Sequence, residues 1–178
     1  MKKIMLKQSY PEGCLPTCIS YILNIENNRE LEKIVFLNSF DNQIAFFDYS
    51  LFVINLLSKK LNFSARIYVQ SKYNEYIRKL KKNAEKRISI KKERILPLKK
   101  FKNYEPFVIY IDSKFLGISQ NHYSHFVVVD KISTNKMKIF DPWKGELRFI
   151  DIKNIEKAIN SLMNRLWCAG KMIKIEKI

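Results

Sequence analysis

Between Leu15 and Asn24 the apolar residues Leu15, Cys18, Ile19, Ile22 and Leu23 recur at the spacing of one helix face. Pro16 fits such a helix only in its first turn, where its missing N–H needs no partner, so the helix is predicted to start at about Cys14. Arg29–Leu37 and Tyr49–Leu61 read as two more helices, the second stopping at Asn62. Ala65–Val69 alternates weakly, as a strand does, and Tyr73–Arg87 reads as a charged, exposed helix.

After Pro106 the period changes. Phe107–Ile111, Phe126–Val129 and Met137–Phe140 are short β-branched or aromatic runs separated by turn-type residues. Glu146–Ile150 adds a fourth strand beyond Asp141-Pro142-Trp143-Lys144-Gly145, which reads as a turn. Ile152–Asn164 is predicted to be a helix and Lys171–Ile178 a closing strand. Helices followed by a run of antiparallel strands define an α+β arrangement.

With 178 residues, 47% of them hydrophobic, the chain has the size of one domain with a core of its own. Four Gly and five Pro exclude collagen-like and low-complexity classes. No apolar run approaches the roughly 20 residues that span a bilayer, and Met1–Lys7 has no apolar stretch of signal-peptide length. Three Cys make no disulfide framework, so a reducing, cytoplasmic compartment is expected. The formal net charge is +16, and it is concentrated: Ser71–Asn103 holds 13 Lys+Arg against three acids, or +10 of the total. Tyr73, Tyr76, Phe101 and Tyr104 lie in or beside this segment as stacking groups for a nucleic acid. A solvated helix face in a lysine-rich protein accounts for the charge better, so nucleic acid ranks as a secondary partner.

A thiol at a helix start meets unpaired N–H groups and the positive end of the helix dipole, which favour thiolate. That distinguishes Cys14 from Cys18 and Cys168, both of which read as core. Neither C-x-x-C spacing nor a Cys/His cluster is present, so no metal or organic cofactor is expected. Of the two histidines, His125 opens a strand and can point into a cleft, while His122 lies in a loop. A hairpin would bring Asp141 beside His125, where it could fix the imidazole tautomer. Gln8, six residues before Cys14, could supply one oxyanion donor and the Cys14 N–H the other.

The order Gln8, Cys14, His125, Asp141 resembles that of papain-like cysteine peptidases, and most nearly the bacteriocin-processing, double-glycine leader peptidase group. The resemblance covers about residues 6–25 and 106–150. It implies a papain-like fold with N-terminal helices, the nucleophile at the start of the first, packed on a C-terminal antiparallel sheet. It also implies Cys14 as nucleophile, His125 as base, Asp141 as its orienter and Gln8 as oxyanion donor, acting on a peptide or acyl substrate. Three features depart from the family pattern. Leu15-Pro16 follows the Cys where Gly is usual, a pair expected to narrow access to the thiol. His125 lies 111 positions after Cys14, and the basic segment 71–103 accounts for the length as an insertion. No transporter region follows, so a stand-alone peptidase is expected. Ile109–Leu116, His122–Val129 and Asp141-Pro142-Trp143 also resemble, more weakly, butirosin-type N-terminal acyltransferase domains, which leaves acyl transfer as the alternative to hydrolysis. An inactive peptide-binding relative is a third reading.

Overall fold

The computed structural model describes residues 6–10, 12–26, 28–41, 48–96, 98–102, 104–165 and 169–178. Cys168 lies outside them. Helix α1 spans Cys14–Leu23 and ends on Asn24, whose left-handed backbone (φ 56°) lets its N–H cap the last carbonyls. Helix α2 is Asn28–Asp41 and α3 is Tyr49–Leu61. The latter is opened by Asp48, whose carboxylate accepts from the Leu51 N–H, and closed by a left-handed Asn62. Strand β1, Phe63–Gln70, is followed by α4, Asn74–Asn83, and β2, Ile88–Glu93. Strands β3 (Phe107–Asp112), β4 (Ser124–Ile132), β5 (Lys136–Asp141) and β6 (Glu146–Asp151) come next. Helix α5, Ile152–Arg165, and β7, Gly170–Lys177, complete the order.

The strands form one sheet in the order β2-β1-β7-β3-β4-β5-β6. Neighbours from β1 to β6 pair antiparallel, as the C-terminal pattern implied, whereas β1 and β2 pair parallel across α4. Strand β2 was not anticipated. Its apolar residues are only Ile88 and Ile90 among charges, because as an edge strand it buries little and its lysines guard the open edge. The expected helix Tyr73–Arg87 stops at Asn83 since Ala84 turns extended, and it is not wholly exposed: Ile77 and Leu80 are buried.

Each face of the sheet carries a core. One joins apolar residues of α1–α4 to Val108, Phe126, Val128 and Phe140. The other packs α5 and Leu96, Leu98 and Phe101 against Ile109, Val127, Val129 and Ile139. The alternation of inward and outward residues along β3–β5 feeds both, which is why these strands are apolar throughout rather than at every second position.

Candidate active site

Helix α1 presents Cys14 as its first residue. The helix is docked by its far end: the Tyr21 ring stacks on Phe140 of β5 at 4.1 Å between centroids, and its hydroxyl donates to Asp130 Oδ1. Midway, Cys18 Sγ donates to the Phe126 carbonyl of β4. These contacts aim the start of α1 at the beginning of β4 and the end of β5, where His125 and Asp141 stand.

Strand register brings those two together. Val128 pairs with Phe140, which sets Asp141 near the start of β4, and His125 Nε2 lies 3.0 Å from Asp141 Oδ1. The Cys14 thiol lies close enough to the His125 ring to act on its charge. All three side chains are buried, Cys14 at 8% exposed, His125 at 3% and Asp141 at 0%. Burial alone would lower the imidazole pKa; the bond to Asp141, followed by the contact with Cys14, overrides it and raises the pKa to about 9. The Cys18 thiol is pushed well up by burial, with the Cys14 and Asp141 charges adding to it, so it stays protonated.

The turn after β5 does more than end a strand. Asp141 Oδ1 also accepts from the Trp143 N–H, and the Trp143 ring lies 5.7 Å from the His125 ring, on the flank of the His–Asp bond. The Pro142 carbonyl accepts from the Gln8 N–H, tying the segment before α1 to the Asp141 turn. Gly145, at φ 70°, closes the turn against Leu6 and Lys7, where a Cβ would stand 3.1 Å from the Leu6 carbonyl oxygen. Gln8 Nε2 donates to the Tyr10 carbonyl.

Glu32 of α2 organises the same segment, and nothing in the sequence reading pointed to it. Its buried carboxylate accepts from the Ser9 and Tyr10 N–H groups, from Thr17 Oγ1 of α1 and from Asn28 Nδ2. Burial raises its pKa, against the four hydrogen bonds that lower it. Gly13 permits this approach, since a Cβ there would lie 2.2 Å from Glu32 Oε2. Asn28, one helical turn before Glu32, is the only local trace of the cluster. Leu15, expected to narrow access to the thiol, is wholly buried in the core, so it serves packing instead.

His122 belongs elsewhere. Its Nδ1 lies 2.6 Å from Asp112 Oδ2, which also accepts from Ser161 Oγ of α5. Burial raises the Asp112 pKa, but these bonds prevail and lower it overall.

Residues 77–163 match the model of the Peptidase C39 family. The Peptidase C39 match agrees with the resemblance drawn from the bacteriocin-processing pattern, and it supports a cysteine peptidase. It contains His125 and Asp141, and it opens inside the basic segment; Gln8 and Cys14 precede it. No curated protein matches the chain. Among the described residues, no helix is long and apolar enough to cross a membrane.

Proposed function

We propose that this protein is a thiol peptidase that cleaves a peptide or amide bond through Cys14, His125 and Asp141, with Gln8 in support. One observation carries the reading: a buried histidine bonds a carboxylate through Nε2 and is acted on by a thiol at the first position of a helix. A His125 pKa raised to about 9 favours an imidazolium beside Cys14 at neutral pH.

In the proposed sequence the Cys14 sulfur attacks the substrate carbonyl carbon, forming the C–S bond and an oxyanion. The Cys14 N–H, which has no acceptor within its own helix at this position, and the Gln8 side chain donate to that oxyanion, a contribution of about 2.7–4 kcal/mol per donor in acyl-transfer sites. His125 passes its proton to the leaving nitrogen as the C–N bond breaks, giving a thioester and a free amine. A water molecule, deprotonated by His125, then attacks the thioester and releases the acid and Cys14. Asp141 keeps the imidazole oriented throughout, and Trp143 shields their bond from solvent. Removal of a leader peptide, in a reducing cytoplasm that keeps Cys14 a thiol, is the biological form of this reaction that the Peptidase C39 match favours.

The test is thiol labelling with iodoacetamide at pH 6, read by peptide mass spectrometry, alongside turnover of a peptide pool. Cys14→Ala should abolish both, while Cys18→Ala keeps both. Turnover that survives Cys14→Ala would overturn the assignment.

A further inference from the structure

The basic segment and a cavity that the proposed chemistry does not use lie side by side. A cavity of about 560 Å³ opens between the start of α3, the end of β1, α4 and the start of β7. Its walls are aromatic: Tyr49, Tyr73, Tyr76, Tyr110 and Phe126, the last two stacked at 4.3 Å. Its floor is the buried Lys171 ammonium, which donates to Asp48 Oδ2 and Ser50 Oγ and lies over the Tyr76 and Tyr110 rings. Asp48 accepts from the Tyr76 hydroxyl as well. Burial opposes ionisation of Asp48, yet Lys171 and these donors hold its pKa below the usual carboxylate range. The floor charge is therefore matched inside the protein and selects no ionic ligand. The cavity suits an aromatic or large aliphatic side chain.

Two contacts link this cavity to the candidate active site. The Tyr49 hydroxyl donates to the Glu12 carbonyl, two residues before Cys14, and Tyr49 feels the Cys14 charge, although burial is the larger cause of its raised pKa. Phe126 follows His125 directly and accepts from Cys18 through its carbonyl. In the other direction the cavity continues into a second one of about 570 Å³, through the shared Gln70, Ser71, Lys72 and Met163. That second space adds Lys92 and Arg94. Lys92 reaches only the neutral Asn74 amide, and no ion pair among the described residues involves Lys72, Lys92 or Arg94. Three cations line one open space, and no acid stands among its described lining residues.

We infer that this continuous groove selects acidic peptides: an aromatic or large apolar side chain of the substrate enters the Tyr49–Phe126 cavity, and carboxylates further along the peptide meet Lys72, Lys92 and Arg94. The inference rests on the peptidase reading, since it gives that site its substrate class, and it assigns a role to the strand and helix that the basic segment builds. Charge complementarity of this kind sets partner choice and weakens with salt.

The experiment uses the full chain carrying Cys14→Ala, so that binding is read without cleavage. The probes are three fluorescein-labelled nonapeptides of one length: a central Phe flanked by Glu, the same with Glu changed to Lys, and the Glu peptide with Phe changed to Ala. Fluorescence anisotropy at 50 mM salt should show the Phe/Glu peptide bound at least tenfold more tightly than either other probe. Lys72→Ser/Lys92→Ser/Arg94→Ser should bring the Glu-to-Lys ratio within twofold while the circular dichroism spectrum is kept, and 500 mM salt should do the same to the parent. Equal binding of the Glu and Lys peptides overturns the inference. So does tight binding of a dT12 oligonucleotide by a protein that ignores the Glu peptide. Iodoacetamide labelling of Cys14 in the unsubstituted chain separates the two readings. Labelling without charge discrimination sinks only the groove, and discrimination without labelling sinks only the peptidase.

Discussion

Asp141 is the residue on which the chemistry of His125 turns. Its Oδ1 serves the imidazole and the Trp143 N–H together, so its carboxylate both charges the ring and holds the turn. Asp141→Asn keeps an acceptor of similar shape and removes the charge. The expected result is a His125 pKa that falls from about 9 toward its ordinary 6.5, because the largest influence opposing burial is gone. A ¹H NMR titration reads this directly, since the chain has only two histidines. The same shift has a consequence for stability. A histidine whose folded pKa is raised contributes stability fully below about pH 6.5 and loses it as pH rises through about 9, so urea midpoints of the parent should decline across that window. In Asp141→Asn the decline should vanish. A window unchanged by the substitution would show that another group controls it.

At the scale of elements, the site depends on how α1 meets α2 and the segment before it. Glu32 is the tie: four donors from three stretches of chain end on one carboxylate. Glu32→Leu takes this acceptor from the buried Thr17 and Asn28 side chains and from the less buried Ser9 and Tyr10 N–H groups, so a loss of about 2 kcal/mol is expected. Glu32→Gln keeps one carbonyl acceptor and escapes the cost of a buried charge, so it should lose less than half as much. Urea denaturation gives both values. Iodoacetamide labelling of Cys14 should slow in Glu32→Leu beyond what stability explains, since residues 8–10 are released from α1. Equal losses for Leu and Gln would mean that the hydrogen bonds carry little of the tie.

For the whole molecule, the decisive element is the last strand. Strand β7 lies between β1 and β3, pairing eight residues on one side and three on the other, and it joins the N-terminal unit to the strands that hold His125 and Asp141. It also brings Lys171 to Asp48 across the sequence. A chain cut after residue 169 should therefore lose cooperative unfolding altogether, with dye-binding apolar surface exposed, rather than show a modest drop in midpoint. A truncated chain that melts sharply would contradict the central role of β7. The charge of +16 is likewise resolved only at this scale. Residues 74–94, which build α4 and β2, hold nine Lys+Arg against three acids, or +6 of it.

Local spacing carried most of the elements and the order of the candidate residues. The apolar period around Leu15–Leu23 with Pro16 set the start of α1, Asn62 set the end of α3, and the runs after Pro106 marked β3 to β6. Those signals are short-range, because helix and strand periods and cap residues are decided by neighbours within a few positions. Cys14, His125 and Asp141 stood out as candidates by residue type at a helix start and at strand ends, and Gln8 only by the order it shares with the family pattern. Tertiary structure alone decided the rest. Strand β2 had too few apolar residues to declare itself, Glu32 gained its meaning from donors 15 to 23 positions away, and Lys171 found Asp48 across 123 positions. Burial and pairing between remote segments are set by the register and packing of the sheet, and no local pattern encodes a partner that distant.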